Sequence, residues 1–349
     1  MGLPEIKISF KSKALNFIKR SERGVLLLVL KDTQAETKVL NSYLDFETKD
    51  FSEKNQKIMD LVFIDKPNKI IVEKVTDFEN LALIFKKYET KKVDYISIPE
   101  ATEEEKKLLI NFVKEQREKS NTVKAVVFKA DKTESEAVIN FTTPSITTKN
   151  YTFTGGEYCA RIAAILSGMP FSRSSTYFDL REVTDFTKLE NEDTAVDNGE
   201  LFLIEKYEKV KLSRGVNSLT TFTSEKSKQF SKIKIVEAMD MILNDIREIF
   251  IKDYVGKVIN SAINKRLFLD AINGIYFQEL KGDVLDPEYD NKLEIDFEEN
   301  KKYAKLQGED VEKMTDTEIL HYPTGSNVFL TGKIKLVDSM EDLTIKFSI

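Results

Sequence analysis

Chemistry-bearing side chains are scarce in this 349-residue chain, which has one histidine, His321, and one cysteine, Cys159. A lone cysteine excludes an intrachain disulfide and any multi-cysteine metal site. It suits a reducing cytoplasm as the place of synthesis. Most acid–base, triad and zinc chemistry draws on imidazole, and the single histidine lies far from the single thiol in sequence. Cys159, beside Tyr158 and Ile162, reads as a buried structural thiol. His321, beside Tyr322 and Pro323, reads as an exposed helix-end residue. The inventory therefore disfavours imidazole and thiol catalysis and leaves carboxylate-only chemistry open; no catalytic, metal or cofactor-binding residue is singled out.

Long apolar runs are also missing. The longest, Val25–Leu30, is far below the ~20 residues of a membrane span. Met1 to Phe10 has no signal-peptide apolar region. Gly2 lacks a myristoylation context, because Ile6 stands where that motif wants Ser or Thr. A soluble protein without a membrane anchor is expected. There is no basic excess either. The 53 Lys and Arg are outnumbered by 59 Asp and Glu, for a net charge of -6. The lysines are interleaved with acids, whereas a duplex binder needs clustered cations to displace counterions. Nucleic acid is thus an unsuitable partner.

What the chain does have is 41% hydrophobic and 32% charged residues, enough for a sizeable core under a solvated surface. Its length allows two packed domains or one large one, since single cores stop growing at ~250–300 residues. Glu5–Lys11 alternates, with Ile6, Ile8 and Phe10 on one face, as in a half-buried strand. Val25–Leu30 reads as a fully buried strand. Between Lys69 and Lys129 the pattern is β-α-β-α-β, with strands Ile70–Val75, Val93–Ile98 and Val123–Phe128. Capping boxes at Thr76/Glu79 and Thr102/Glu105 start the two helices. The second carries Leu108, Leu109, Phe112 and Val113 on one stripe. A short helix spans Glu157–Ser167, stopped by Gly168 and Pro170. An acidic loop then leads to a hairpin-like pair, Leu201–Lys206 with Lys209–Phe222. The strongest helix runs from Lys232 to Val255, interrupted at Gly256, and a second runs from Lys257 to a glycine cap at Gly274. Asn327–Val337 reads as a strand, and Leu343, Ile345, Phe347 and Ile349 alternate with polar residues. The fold class is α+β, with mixed sheets covered by helices.

A βαβαβ unit invites a nucleotide site, which needs glycines at the strand–helix turn so that the backbone can approach a phosphate. The turns after Val75 and Ile98 contain none and carry carboxylates instead. Gly155-Gly156 opens a helix without a following Lys-Ser/Thr. The carboxylates Asp283, Asp286, Glu288 and Asp290 lack the spacing of a calcium loop and read as a solvated turn. The alternating ends remain, each suited to a sheet edge. Each pairs either within its own subunit or with a neighbouring one by strand donation.

Four segments resemble one family. Gly168-Met169-Pro170-Phe171-Ser172-Arg173-Ser174 with Thr176-Tyr177 resembles a segment of phage tail sheath proteins. Leu212-Ser213-Arg214-Gly215-Val216-Asn217-Ser218-Leu219-Thr220-Thr221 resembles one of their hairpins. Gly2–Phe10 is similar to the start of sheaths from Gram-positive prophages and R-type bacteriocins, and Gly325–Leu343 to the family's C-terminal module. The resemblance implies a core domain built from both chain ends with an outer domain inserted. That gives an N-terminal arm and part of the core in residues 1–22, an outer α/β domain in 23–225, a C-terminal core in 226–338 and a strand arm in 339–349. It implies a non-enzymatic subunit, without cofactors, that polymerises as stacked hexameric rings around a tail tube, with baseplate and tail terminator proteins as partners. Contraction drives the tube through a cell envelope. Particles assemble in the bacterial cytoplasm and are then released as phage tails or bacteriocins. Ile6, Ile8, Phe10, Leu343, Ile345, Phe347 and Ile349 become candidate subunit-linking strands. Pro170, Arg173, Ser174, Arg214, Gly215 and Asn217 are the motif residues. A charged helical stretch, Glu298–His321, with Lys301, Lys302, Lys305 and Lys313, is the candidate tube contact. The competing readings are a tail tube or baseplate protein, which would be a compact β-barrel without the long helix, and a small-molecule enzyme on the α/β domain.

Overall fold

The computed structural model describes residues 24–65 and 67–348, so Ile6, Ile8, Phe10 and Ile349 lie outside it. The described residues form two compact units, one of residues 24–240 with 338–348 and one of residues 241–337.

The first unit begins with β1 (Val25–Lys31), β2 (Glu36–Leu40), α1 (Glu53–Val62), β3 (Lys69–Val75), α2 (Leu81–Tyr88), β4 (Tyr95–Ser97), α3 (Glu103–Glu118) and β5 (Lys124–Phe128). It continues with β6 (Val138–Phe141), β7 (Ser145–Thr148), β8 (Thr152–Thr154), α4 (Gly155–Gly168), β9 (Val183–Phe186), α5 (Glu192–Asp197), β10 (Glu200–Leu201), β11 (Leu203–Lys206) and β12 (Lys209–Leu212). The helix α6 (Ile233–Ile249) contains the division between the units.

Seven strands make one sheet in the order β10-β6-β5-β4-β1-β3-β2. Every pairing is parallel except that of the edge strand β2 with β3. β1 reads as a continuous apolar run because both its faces are covered, as parallel strands require. Leu26, Leu28 and Leu30 pack with residues of α1 and α4, while Val25, Leu27 and Val29 pack with residues of α2 and α3. Burying each is worth ~1.5–3 kcal/mol, which makes β1 the spine of a three-layer α/β/α core. On the outer edge, Glu36, Thr37 and Lys38 blunt β2 against edge-to-edge pairing. Smaller sheets, β8-β7-β9 and the hairpin β11-β12, complete the unit.

The glycine pair that opens α4 serves packing. A Cβ on Gly155 would sit 2.1 Å from the Phe128 ring and 2.3 Å from the Thr143 carbonyl oxygen, and one on Gly156 would sit 2.7 Å from the Pro99 oxygen. Buried Arg161 of α4 bonds Glu182 at 2.7 Å and Asp65 at 2.6 Å. The start of α6 is tied to the sheet by buried ions: Lys124 reaches Asp240 at 2.8 Å and Glu237 at 3.0 Å, and Arg117 pairs with Asp240.

The second unit contains α7 (Ala262–Ala271), α8 (Phe277–Leu280), β13 (Lys292–Ile295), α9 (Phe297–Leu306), α10 (Asp316–Leu320) and β14 (Leu330–Lys333). β13 and β14 pair antiparallel. Asn300 of α9 donates to the Ile319 and Leu320 carbonyls at 3.2 Å each, fastening α9 to α10.

Several local expectations are corrected. Asp77, not Glu79, organises the first turn: it accepts from the Glu79 N–H at 3.0 Å, and α2 starts later, from Asn80. Leu108 is exposed, and Ile110 takes its place in the buried stripe of α3. Only Lys209–Leu212 of the second hairpin arm is strand. Gly274 does not cap a helix; the chain runs through it in a π turn, Ile272–Tyr276, into α8. Of the expected strand Asn327–Val337, only Leu330–Lys333 is strand; the charged stretch Glu298–His321 is helical as expected, in two pieces, α9 and α10. The capping boxes at Thr102/Glu105 and, for α4, at Thr154/Glu157 are formed.

Candidate functional site

Three stretches remote in sequence meet in the first unit. The first follows α4, where the Arg173 N–H donates to the Pro170 carbonyl at 3.1 Å and the guanidinium lies 4.8 Å over the Phe178 ring. That turn presents Ser174, Ser175 and Thr176, and the Thr176 N–H donates to Ser174 Oγ at 3.1 Å. The second follows β12. Its Gly215 N–H donates to Thr176 Oγ1 at 2.9 Å. A Cβ on Gly215 would sit 2.4 Å from Ser175 Oγ, so a side chain there would require the Ser175 hydroxyl to move aside. Asn217, fully buried, donates to the Phe230 carbonyl at 2.7 Å and accepts from the Leu219 N–H at 3.0 Å, which holds the second loop.

The third stretch is residues 338–342, laid across the first two. Thr176 Oγ1 donates to Glu341 Oε1 at 2.7 Å. Ser174 Oγ lies 3.0 Å from that oxygen and 3.0 Å from Thr176 Oγ1, and its single proton serves one of them at a time. Arg214 pairs with Asp342, and its Nε is 3.8 Å from Glu341 Oε2. Lys232 pairs with Asp338, and Lys234 Nζ donates to Ser339 Oγ at 3.0 Å. The Glu341 side chain is only 8% exposed, and burying a polar group that far costs free energy unless donors such as these reach it. The Arg214 guanidinium is held above its ordinary value, first by its bond with Asp342, and remains charged throughout the working range.

Past this clasp the chain leaves the body. Residues 343–348 belong to no strand or helix, and Leu343, Ile345 and Phe347 are 84%, 59% and 87% exposed. Ser174, Arg214 and Gly215 thus come together at the root of the C-terminal segment, Asn217 supports their loop, and Pro170 and Arg173 shape the turn. The lysines lie in the second unit. Lys301, Lys302 and Lys305 are on α9 and Lys313 is in the turn before α10. Lys301 pairs with Glu312 at 3.2 Å, Lys302 with Glu299 at 2.5 Å and Lys313 with Asp310 at 2.7 Å.

Sequence reasoning missed Lys232, Lys234, Asp338, Glu341 and Asp342 as partners. The available signal was the acidic cluster Asp338, Glu341, Asp342 set directly before an apolar alternation, with unassigned cations in the motif loops.

The remaining candidates have structural surroundings. Cys159 is 1% exposed, and burial pushes its thiol far up. His321 is exposed at the end of α10. Lys335, at 2.8 Å, holds the Asp286 carboxyl below its ordinary value. Among the described residues no group of His, Cys, Asp and Glu could hold a metal ion, and no helix is long and apolar enough to cross a membrane.

Comparison with known proteins converges on one family. Residues 225–349 match the family model of the phage tail sheath C-terminal domain. The tail sheath protein of Clostridium phage phiCD119 is 34% identical over 355 residues, covering 99% of each chain. In fold, the chain resembles the anti-feeding prophage helical sheath in its contracted state, with TM-score 0.72 at 13% identity over 100% of this chain and 99% of that one. It also resembles the sheath tail protein of Listeria innocua, with TM-score 0.67 at 16% identity over 92% and 97%. Aligned along nearly its whole length with a tail sheath protein, and sharing the mixed α/β sheath fold, the chain belongs to the tail sheath protein family.

Proposed function

We propose that this chain is a mechanical subunit rather than a catalyst. In this reading it polymerises as stacked hexameric rings around a tail tube, between baseplate and terminator proteins, and contracts to drive the tube through a cell envelope. Assembly takes place in the bacterial cytoplasm, before release of the particle.

The observation that carries the reading is the C-terminal segment: rooted in a clasp of family-motif residues, it extends an apolar face, Leu343, Ile345 and Phe347, into solvent. An isolated apolar alternation of this kind is unstable in water unless another sheet receives it. Leu343, Ile345, Phe347 and Ile349 are the donated strand in this proposal, and Ile6, Ile8 and Phe10 play the same part at another neighbour. The acceptor is a sheet edge on the next copy. The pair β13–β14, two-stranded among the described residues, is marginal alone and gains from a third strand. The arms are residues 1–22 and 339–349, the outer domain 23–225 and the core 226–338. The second unit adds exposed apolar side chains, Ile251, Val255, Ile259, Ile263 and Leu267, of the kind that interfaces cover.

Electron microscopy of the purified chain tests this. Ringed sleeves are expected, and particles that never exceed a monomer at high concentration would refute it. The tube is gripped in this proposal by Lys301, Lys302, Lys305 and Lys313, a small polar contact that can release on contraction. Reversing the charges at Lys301, Lys302 and Lys305 should abolish co-assembly with tube; unchanged co-assembly would move the contact elsewhere.

A further inference from the structure

We infer that the Arg214–Thr176–Glu341 clasp is a latch that aims the C-terminal segment, fixing where residue 343 leaves the body so that the apolar tip faces outward instead of collapsing onto its own subunit. The inference rests on reading that segment as a link between copies. Its grounds are geometric.

Every polar residue of 338–342 is gripped from the body: Asp338 by Lys232, Ser339 by Lys234, Glu341 by Thr176 and Ser174, and Asp342 by Arg214. The grip stops at residue 342. Among the described residues beyond it, the apolar side chains are exposed one after another. A segment held only by burial would show the reverse, with apolar residues packed and carboxylates in water. The cations all come from the body and the carboxylates all from the segment, so the fit has a polarity that a charge exchange can reverse. Arg214, Thr176 and Glu341 are positioning residues here: they touch the root, not the neighbour that receives the tip.

Spin labels on Leu343→Cys, the first residue past the clasp, and on Lys107→Cys of α3 report the aim in the isolated full-length subunit. The native thiol at Cys159 is 1% exposed and stays unlabelled. A narrow distance distribution is expected, and Arg214→Glu should broaden it, with the released fraction rising about tenfold, or ~1.4 kcal/mol. The melting temperature should not change. Combining Arg214→Glu with Asp342→Arg should narrow the distribution again, a rescue that a merely structural role for Arg214 does not give. Asp342→Asn, which keeps the shape and drops one charge, should broaden it partly and serves if Arg214→Glu does not fold. A distribution already broad in the unmodified background, one that stays narrow in both single variants, or one that the exchange fails to restore would overturn the inference. Because these distances are read without polymer, they stand or fall separately from the linking role, which deletion of the tip tests on its own.

Discussion

Thr176 shows how much of the site one hydroxyl organises. It accepts from the Gly215 N–H and donates to Glu341, so one side chain joins two loops and the segment 338–342. Gly155 works by having no side chain. An alanine there would drive its Cβ into the Phe128 ring and the Thr143 carbonyl, and the carbonyl cannot swing aside as a flexible tip would. Gly155→Ala is therefore expected to destabilise the fold by ~1–3 kcal/mol, read as a lower denaturation midpoint with an unchanged slope. A neutral result would mean that α4 can shift off the sheet. The same geometry explains why the glycine pair looked like half of a phosphate loop in sequence: close approach is the shared requirement, here to β5 rather than to an anion.

Among the elements, β3 carries a buried charge that should be visible in acid. Glu73 accepts from Thr37 Oγ1 of β2 at 2.9 Å and from Lys87 and Tyr88 of α2. Burial alone would raise its carboxyl, but the bonds from Lys87, Tyr88 and Thr37 together outweigh it and hold the group below its ordinary value. A carboxylate depressed in the folded state contributes stability that is full above its unfolded value and is lost as pH falls through the folded one. Glu73→Gln should thus cost ~1–3 kcal/mol at pH 7 and flatten the loss of stability below about pH 4.5. An acid profile identical to that of the unsubstituted chain would show that the network contributes nothing. The β3-α2-β4-α3-β5 run was legible because each strand is an apolar block and the Thr102/Glu105 box is local. The sheet order was not, since β1 inserts between β3 and β4 and nothing in the intervening sequence encodes that. Gly274 misled for a tertiary reason. Its neighbour Asn273 bonds the Leu293 backbone in both directions, and the Tyr276 hydroxyl reaches Asp245 at 2.8 Å. Those anchors carry the helix past a residue that would otherwise end it.

For the whole molecule, the sequence showed both halves of the site, the motif loops and the alternating end, but not that one holds the other. Contacts between positions 174, 214 and 341 are long-range and have no sequence period. The central claim is that residues 343–349 join subunits rather than stabilise their own. It is tested most directly by deleting them and measuring melting temperature and polymerisation on the same preparation. Because Leu343, Ile345 and Phe347 are exposed in the subunit, the shortened chain should melt within about 2 °C of the full one and form no sleeves under conditions where the full chain does. A shortened chain that melts many degrees lower, or one that still builds full-length sheath, would contradict the claim.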